Sequence, residues 1–490
     1  MRTLLALFCI AGCATSTGAS ISSNPGDVWG PVPHYRQTAD RIVEAALKSN
    51  DAWNKMEQLC DGIGHRLSGS PQLERAVIWA QEALRKDGHE NVHAEPVQVA
   101  KWVRGSESLT LVSPRAATLN MLGLGMSVGT PPEGIEAAVV VVDDEDGLKA
   151  LGDGAKGKIV LFNNPMPPWT LENGPQYGST VRYRIKGPKL AAEAGALAVL
   201  VRSVTATSLR SPHTGTTSYK EVERKIPAAA VSTEDAELLA RLARAGGPDN
   251  PPVVRLKMEA RTEGDALSAN VIAELRGSER PDEVVVIGGH LDSWDVGQGA
   301  HDDAAGCVIA MEALNTLRRL NLRPKRTIRV VLWTNEENGL GGGKAYAEAH
   351  AAELGGHVAA IESDSGGFDP VGFGVDLADD AAEARAVRKL EALLPLFAGV
   401  APTDPALGPM AISAGFGGAD VSPLTPKGVP AMGLRVDMRT YFDYHHSAAD
   451  TLDKVDPRSL SKGVAAMAVM AYVLADMPGR LAPAPAPSTD

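Results

Sequence analysis

The chain has 490 residues, of which 44% are hydrophobic and 22% are charged, a balance that excludes disordered, collagen-like and multi-span membrane proteins. Its length predicts about three domains, or fewer if one of them is large. A net charge of −12 and an aromatic content of 4% argue against nucleic acid as the main partner. Only Cys60 and Cys307 lie in the body of the chain, so the fold is not a disulfide scaffold, although one bridge between them stays open.

The N-terminus has the pattern of a targeting segment. Arg2 supplies a positive charge, and the apolar stretch 4–11 that follows is too short to span a bilayer as a helix. The Ile-Ala-Gly-Cys run at 10–13 resembles a bacterial lipoprotein cleavage box, which predicts a signal peptide over 1–12 and lipidation of Cys13. A plain secretory signal is the alternative, and either pattern predicts export, to the periplasmic side of the cell envelope or into the medium. Residues 13–35 are rich in Ser, Thr, Gly and Pro and predict a tether, so the membrane would be reached only through the lipid.

Two helical segments, 38–59 and 73–84, open the first part of the main domain, which we place at 36–115. The region 116–264 has short strand-like runs alternating with helical stretches and contains no cluster of His and acidic residues. It therefore predicts an inserted, smaller α/β domain. The Pro- and Ala-rich tail 479–490 predicts disorder.

From Ser268 onwards, continuous apolar runs of strand length alternate with helical stretches. Runs without polar alternation are typical of strands buried on both faces, and strand–helix alternation indicates a mostly parallel sheet. Residues 265–478 are therefore predicted to be the second part of an α/β domain with a mostly parallel mixed sheet flanked by helices. The apolar runs are 284–287, 328–333, 358–361 and 429–434.

Each of these strands is followed by residues of the kinds that bind metals. In open parallel sheets, sites form outside the carboxyl ends of the strands, so these segments should meet at one edge. Imidazole and carboxylate groups without thiolate suit Zn²⁺, Mn²⁺ or Co²⁺ in an incompletely filled shell. The residues are His290 and Asp292, His301 to Asp303, Glu336 and Glu337, Asp364, and His445, His446 and Asp450.

Every one of these pieces also has an ordinary structural explanation. Asp302 and Asp303 could cap the helix that follows them, and Glu336–Glu337 could be a solvated turn. All of these explanations would have to be true at the same time, at four strand ends, so a metal site is the stronger interpretation. Two metal ions sharing a carboxylate need about five ligands, and a sixth group, a free carboxylate, would act as the base. The chain offers no strand–loop–helix context for a nucleotide-binding loop or for a nucleophile elbow.

At this point the pattern resembles the co-catalytic zinc exopeptidases, a family that includes aminopeptidase Y, the bacterial leucyl aminopeptidases and the glutamate carboxypeptidases. The similarity covers roughly 268–478, and within the family it is strongest to the plasma glutamate carboxypeptidase branch. The middle region is similar, more loosely, to the protease-associated domain of many members. The motifs are Gly-Gly-His290-Leu-Asp292-Ser, Asp302-Asp303-Ala-Ala-Gly, Asn-Glu336-Glu337, Glu-Ser-Asp364-Ser-Gly and His446-Ser-Ala-Ala-Asp.

This resemblance implies the zinc exopeptidase fold, two Zn²⁺ ions and a role for each site residue. It implies that His290 and Asp364 hold one ion, that Glu337 and His446 hold the other, and that Asp302 bridges them. Three further residues have implied roles beside the ligands: Glu336 as general base, Asp292 orienting His290, and His445 touching the substrate or the tetrahedral intermediate.

The resemblance leaves open which end of a short peptide is recognised. Many aminopeptidases of the family have Ser-Asp-His where this chain has Ala-Asp-Val at 419–421, which favours a carboxypeptidase or dipeptidase over an aminopeptidase. A terminal carboxylate needs Arg or Lys, and Arg435, Arg439 and Lys344 lie near the predicted edge. A receptor-like protein without activity, a glutaminyl-cyclase-like acyltransferase and a homodimer also stay open.

Overall fold

The computed structural model describes residues 32–484. The predicted signal peptide, lipidation at Cys13 and nearly all of the tether lie outside the described residues, as do residues 485–490 of the tail. Cys60 and Cys307 are both buried and free, so the bridge left open between them is not formed.

The described residues form sixteen strands and twelve α-helices. The strands are β1 (Glu90–Val103), β2 (Glu107–Ser113), β3 (Ala117–Leu119), β4 (Met121–Gly123), β5 (Ile135–Val142), β6 (Ile159–Phe162), β7 (Ala198–Arg202), β8 (Ala228–Val231), β9 (Val253–Met258), β10 (Arg261–Leu275), β11 (Arg280–His290), β12 (Arg326–Trp333), β13 (His357–Glu362), β14 (Pro370–Asp376), β15 (Ala411–Ala414) and β16 (Ala431–Val436). The helices are α1 (Pro33–Lys48), α2 (Asp51–Cys60), α3 (Pro71–Lys86), α4 (Glu145–Leu151), α5 (Tyr177–Thr180), α6 (Arg182–Glu193), α7 (Thr233–Gly246), α8 (Ala305–Arg319), α9 (Gly341–Ala349), α10 (Asp380–Glu391), α11 (Tyr441–Tyr444) and α12 (Pro457–Asp476).

The first sheet is a mixed, eight-stranded sheet in the order β1-β10-β12-β11-β13-β16-β14-β15. Its four central strands, β12, β11, β13 and β16, run parallel, and their carboxyl ends therefore meet at one edge. Every residue of β12 and β13 is buried, which is why their sequences lack polar alternation. The predicted fold class is confirmed.

Helices cover both faces of this sheet. On one face α12 packs against α8 and α1. On the other face α9 packs against Val421, Leu424 and Val429, which follow β15 in the chain. By length and composition α12 could cross a membrane, but 78% of its most apolar window is buried inside the protein, as expected of a core helix. The segment predicted as one helix over 38–59 is two helices, because Ser49 is extended (φ −87°, ψ 140°).

The second sheet is also eight-stranded, in the order β3-β2-β9-β5-β6-β7-β8-β4, and has a parallel centre. It takes in residues from Glu107 to Met258, whereas the predicted limits of the insert are 116 and 264. A long antiparallel ribbon of β1 and β10 carries the chain between the two sheets. The sequence analysis missed this ribbon because residues 90–96 of β1 and 261–267 of β10 have no buried side chain, so each strand lacks a regular apolar pattern over about half its length.

Candidate metal centre

The carboxyl edge of the parallel strands gathers the ligand-type residues. His290 is the last residue of β11, Asp364 follows β13 by two residues, and Glu337 lies in the turn after β12. The other two predicted ligands come from separate segments: Asp302 from the turn before α8, and His446 from the turn after α11. All five therefore lie at one edge, although they come from five segments.

Asp302 lies at the middle of the group. Its Oδ1 is 3.2 Å from His290 Nε2, and its Oδ2 is 3.2 Å from His446 Nε2. Asp364 Oδ1 lies 3.5 Å from His290 Nε2, and Glu337 Oε2 lies 3.0 Å from His446 Nε2. The geometry is thus two half-sites, each made of one imidazole and one carboxylate, joined by a shared carboxylate.

Several buried atoms of these residues have no hydrogen-bond partner among residues 32–484. They are His290 Nε2, Asp302 Oδ2 and Glu337 Oε1. A buried polar atom without a partner costs free energy, and such atoms in a native protein call for an explanation such as an ion. Converging, unpartnered imidazole and carboxylate atoms fit divalent metal ions.

The pKa values of the carboxylates in this group also indicate a metal site. Burial raises the pKa of Asp364 and of Glu337 above the usual carboxyl range, because these carboxylates are crowded away from water. Asp302 is the exception: burial would raise its pKa, but the imidazoles of His290 and His446 beside it lower it well below the usual value. Bound cations offset this concentration of buried negative charge.

Asp303 is a second carboxylate within reach of His290, and its oxygens have other partners. The backbone N–H groups of His290 and Gly306 both donate to it, each at 3.0 Å. Asp303, His290 and Asp364 also offer one ligand atom each within 4.8 Å of one another. We favour Asp302 as the ligand, because it faces both imidazoles and keeps an unpartnered oxygen. Both oxygens of Asp303 already accept backbone hydrogen bonds, one of them from Gly306 in the first turn of α8.

The Glu336–Glu337 pair diverges in the turn after β12. Asn335, just before it, has a left-handed backbone (φ +66°), and Glu337 turns inward to His446 while Glu336 stays half-buried. Burial raises the pKa of Glu336 well above its ordinary value; His290 opposes this, and the carboxylate of Asp364 adds to it. Glu336 is therefore a carboxylate at the centre that is not committed to a ligand position.

Asp292 lies under both His290 and Glu336. The backbone carbonyl of Asp292 is 3.0 Å from His290 Nδ1, closer than the Asp292 carboxylate at 3.8 Å. That carboxylate accepts hydrogen bonds from the Ser68 hydroxyl at 2.9 Å and the Glu336 backbone at 3.1 Å. The sequence analysis predicted that Asp292 orients His290, and the nearer partner of the His290 ring is the backbone carbonyl of Asp292.

His445 stacks on His446 with ring centroids 3.5 Å apart, and its Nε2 lies 3.7 Å from Asp302 Oδ2. Burial, followed by the neighbouring His446, lowers the pKa of His445 well below its usual value, so the ring is neutral. The ring is close enough to count as a third imidazole of the group. Its position fits the predicted contact with substrate.

Asp450 holds the central carboxylate in place. Its two carboxylate oxygens accept hydrogen bonds from the backbone N–H groups of His301 (2.8 Å) and Asp302 (3.1 Å). Burial raises the pKa of Asp450 to about 7. The sequence analysis placed Asp450 at this edge without assigning it a role, and the structure shows it bracing the turn that presents Asp302.

The inserted domain also reaches the centre, which the sequence analysis missed. Arg184 of α6 is buried, and its Nη1 lies 3.3 Å from His446 Nδ1. Within residues 32–484 no carboxylate comes within ion-pair distance of Arg184, and its Nε has no hydrogen-bond partner. A lone Arg in a helical stretch carries no sequence signal of function, so only the docking of the two domains could reveal it.

The basic residues that the sequence suggested for a substrate carboxylate have other contacts. Arg439 pairs with Asp437 and Asp404, both at 2.7 Å. Lys344 donates to the backbone carbonyl of Gly339 at 2.7 Å, and Arg435 is hydrogen-bonded to Ser413. Of these three, Arg435 alone lines a cleft of about 470 Å³ beside Ser365, close to Asp364.

Comparisons with known proteins agree with this geometry. Residues 270–473 match the sequence profile of Peptidase family M28. Carboxypeptidase Q of Bos taurus is 42% identical over 449 residues, which cover 91% of this chain and 90% of that protein.

Solved structures show the same similarity. A peptidase M28 precursor from Shewanella amazonensis superposes with a TM-score of 0.85 at 36% identity, covering 93% of this chain and 100% of that one. A zinc aminopeptidase from Bacillus subtilis superposes with a TM-score of 0.61 at 18% identity, covering 88% and 97%, and shares the fold.

Proposed function

This chain belongs to peptidase family M28, and on that premise we propose that it hydrolyses short peptides as a dinuclear zinc carboxypeptidase or dipeptidase. The resemblance stated from the sequence motifs is thereby confirmed. One observation carries the proposal: a buried carboxylate, Asp302, stands between two imidazoles, each of which has a further carboxylate beside it.

The donor set supports zinc. Two imidazoles and three carboxylates, without thiolate, suit Zn²⁺ in a catalytic shell, and their unpartnered buried atoms face one another. We assign His290 and Asp364 to one ion, Glu337 and His446 to the other, and Asp302 to both. This needs the neutral tautomer of His290 with its proton on Nδ1, which the Asp292 carbonyl favours by accepting a hydrogen bond from Nδ1–H.

When bound, the ions supply Lewis-acid chemistry, lowering the pKa of water and polarising the scissile carbonyl. The residues of the chain move the proton. Glu336 takes the proton from the attacking water and returns it to the leaving amine, and its half-buried position gives it access to both. The hydrogen bond from the Glu336 backbone to Asp292 ties the base to the segment that carries His290.

Arg184 supports recognition of the carboxyl terminus. A buried guanidinium without an acidic partner is costly, and a substrate carboxylate is the anion that this site would offer it. When His446 binds metal through Nε2, its Nδ1 carries a proton and can donate to the Thr214 carbonyl, 3.3 Å away. That proton removes the acceptor nearest to Arg184 Nη1, which keeps only the Thr214 carbonyl at 3.5 Å, and the other N–H groups of the guanidinium are left for substrate.

A panel of dipeptides tests which terminus is recognised. We expect cleavage of dipeptides with free termini and of N-blocked ones, no cleavage of C-amidated ones, and loss of activity with chelator. Cleavage of amidated but not of N-blocked peptides would instead indicate an aminopeptidase. Cyclisation of a peptide with an N-terminal Gln would indicate the cyclase alternative.

Replacing Arg184 tests its role in that preference. Arg184→Gln is expected to raise KM for a dipeptide with a free carboxylate by roughly 10- to 100-fold, as for loss of a charged hydrogen bond, with a smaller change in kcat. The preference for free over amidated substrate should collapse. Arg182→Gln, an exposed arginine on the same helix, is the matched control. Equal losses on both kinds of substrate would contradict the assignment.

We also propose export, with attachment to the membrane only through lipid on Cys13. The Ile-Ala-Gly-Cys run supports this proposal, and mass spectrometry of the mature N-terminus tests it. A homodimer stays a proposal for sedimentation analysis.

A further inference from the structure

The turn that carries His446 is unusual. His446 has a left-handed backbone (φ +61°), a conformation that a residue with a side chain adopts only when its surroundings hold it. It directly follows His445, whose ring stacks on its own. Something outside this short segment must therefore fix the direction in which the His446 imidazole points.

The inserted domain provides that support through His213 and Thr214, which we call the insert clamp. The Thr214 backbone N–H donates to the His446 carbonyl at 2.8 Å, and the Thr214 carbonyl lies 3.3 Å from His446 Nδ1. His213 Nδ1 lies 2.6 Å from the His445 carbonyl. Since a carbonyl only accepts, His213 must be the donor, with its proton on Nδ1.

The insert clamp is itself fastened to the second sheet. The His213 backbone N–H donates to the Ser203 hydroxyl at 2.9 Å, and that hydroxyl donates to the carbonyl of Val231 at the end of β8. The Thr214 hydroxyl donates to the Gly123 carbonyl at the end of β4. The insert clamp is therefore anchored in the core of the inserted domain and reaches from there to the catalytic domain.

The protonation of His213 suits a fixed clamp. Burial lowers the pKa of His213 to about 4, so the ring is neutral and its single donor stays on the His445 carbonyl near neutral pH. Its other nitrogen, Nε2, is buried and has no hydrogen-bond partner. The ring thus makes one polar contact, and that contact reaches the segment carrying His446.

We propose that the inserted domain is a working part of the metal centre: the insert clamp positions His446, and thereby selectively secures the ion that His446 and Glu337 hold. This inference rests on the proposed dinuclear centre. The partner of the outer nitrogen of a metal-bound imidazole fixes its tautomer and ring orientation, and loss of such a partner costs 10- to 100-fold in metal affinity. His213 and Thr214 are positioning residues, since they act through His446.

The test measures metal affinity instead of turnover. The full chain is loaded with Zn²⁺ and titrated with a competing chelator, and the same variants are loaded with Co²⁺ for absorption spectra. His213→Leu is expected to weaken one of the two ions by roughly 10-fold, the lower end of that range because His213 acts through the His445 carbonyl, and to leave the other unchanged. The Co²⁺ spectrum of one site alone should change. His213→Asn, which keeps an N–H close to the position of Nδ1, should restore most of the affinity.

His89→Leu is the matched control. His89 is half-buried with both ring nitrogens buried, and burial lowers its pKa to about 4, but it lies beside Gly88 and Arg318 at the opposite edge of the sheet. If His213→Leu does not fold, Ser203→Ala, which loosens the clamp one bond further away, should show the same one-ion effect. Wild-type affinity for both ions in the folded variant, or equal weakening of both, would overturn the clamp. Wild-type protein that binds no metal would instead overturn the proposed function.

Discussion

Replacing Glu336 with glutamine is expected to lower kcat by roughly 10²- to 10⁴-fold, the usual contribution of a general acid–base, while two zinc ions remain bound. Glutamine keeps the shape of the side chain and the backbone hydrogen bond to Asp292, but it cannot accept the proton of the attacking water. The neighbouring Glu337, which we propose as a ligand, faces His446 and should be unaffected.

Steady-state kinetics on a free dipeptide, together with elemental analysis, measure both parts of this expectation. Glu348→Gln on α9, exposed and carrying the same loss of charge, is the control. Activity of Glu336→Gln near that of the wild type would remove Glu336 from the mechanism. Loss of metal together with activity would make it a ligand.

Replacing Asp302 with asparagine is expected to have an effect of similar size by another route. The central carboxylate faces both imidazoles, so removing its charge should weaken both ions, and metal content after dialysis should fall below one per chain. Activity should fall by at least about 10³-fold, because neither the ions nor the water they activate would be in place. Elemental analysis and activity before and after added zinc are the measurements.

Asp303→Asn is the discriminating comparison. Asp303 accepts backbone hydrogen bonds from His290 and Gly306, so its replacement should cost stability, about 1–3 kcal/mol for a buried donor left without its acceptor. Metal content should stay near that of the wild type, and a lower Tm should be the main effect. Loss of the ions in Asp303→Asn together with their retention in Asp302→Asn would show that Asp303, and not Asp302, is the ligand.

Much of the catalytic half could be predicted from the sequence because the signals are local. Strands β12 and β13, buried on both faces, produce unbroken apolar runs, and the residues after such a run lie at the carboxyl edge of the sheet. Because His290, Glu337 and Asp364 each follow or end such a run, the sequence alone predicted that they lie at one edge of the sheet. The β1–β10 ribbon was missed, because residues 90–96 of β1 and 261–267 of β10 have no buried side chain and so show no apolar periodicity.

The sequence by itself determined which residue types reach the edge, since strand periodicity and composition are written in neighbouring positions. Only the tertiary structure decided how the neighbouring carboxylates Asp302 and Asp303 divide their contacts, because backbone donors from α8 and β11 occupy one of them. It also decided that Arg184 stands beside His446, 262 positions away. Such contacts depend on how two separately folded cores dock, and no periodicity within either segment encodes that docking.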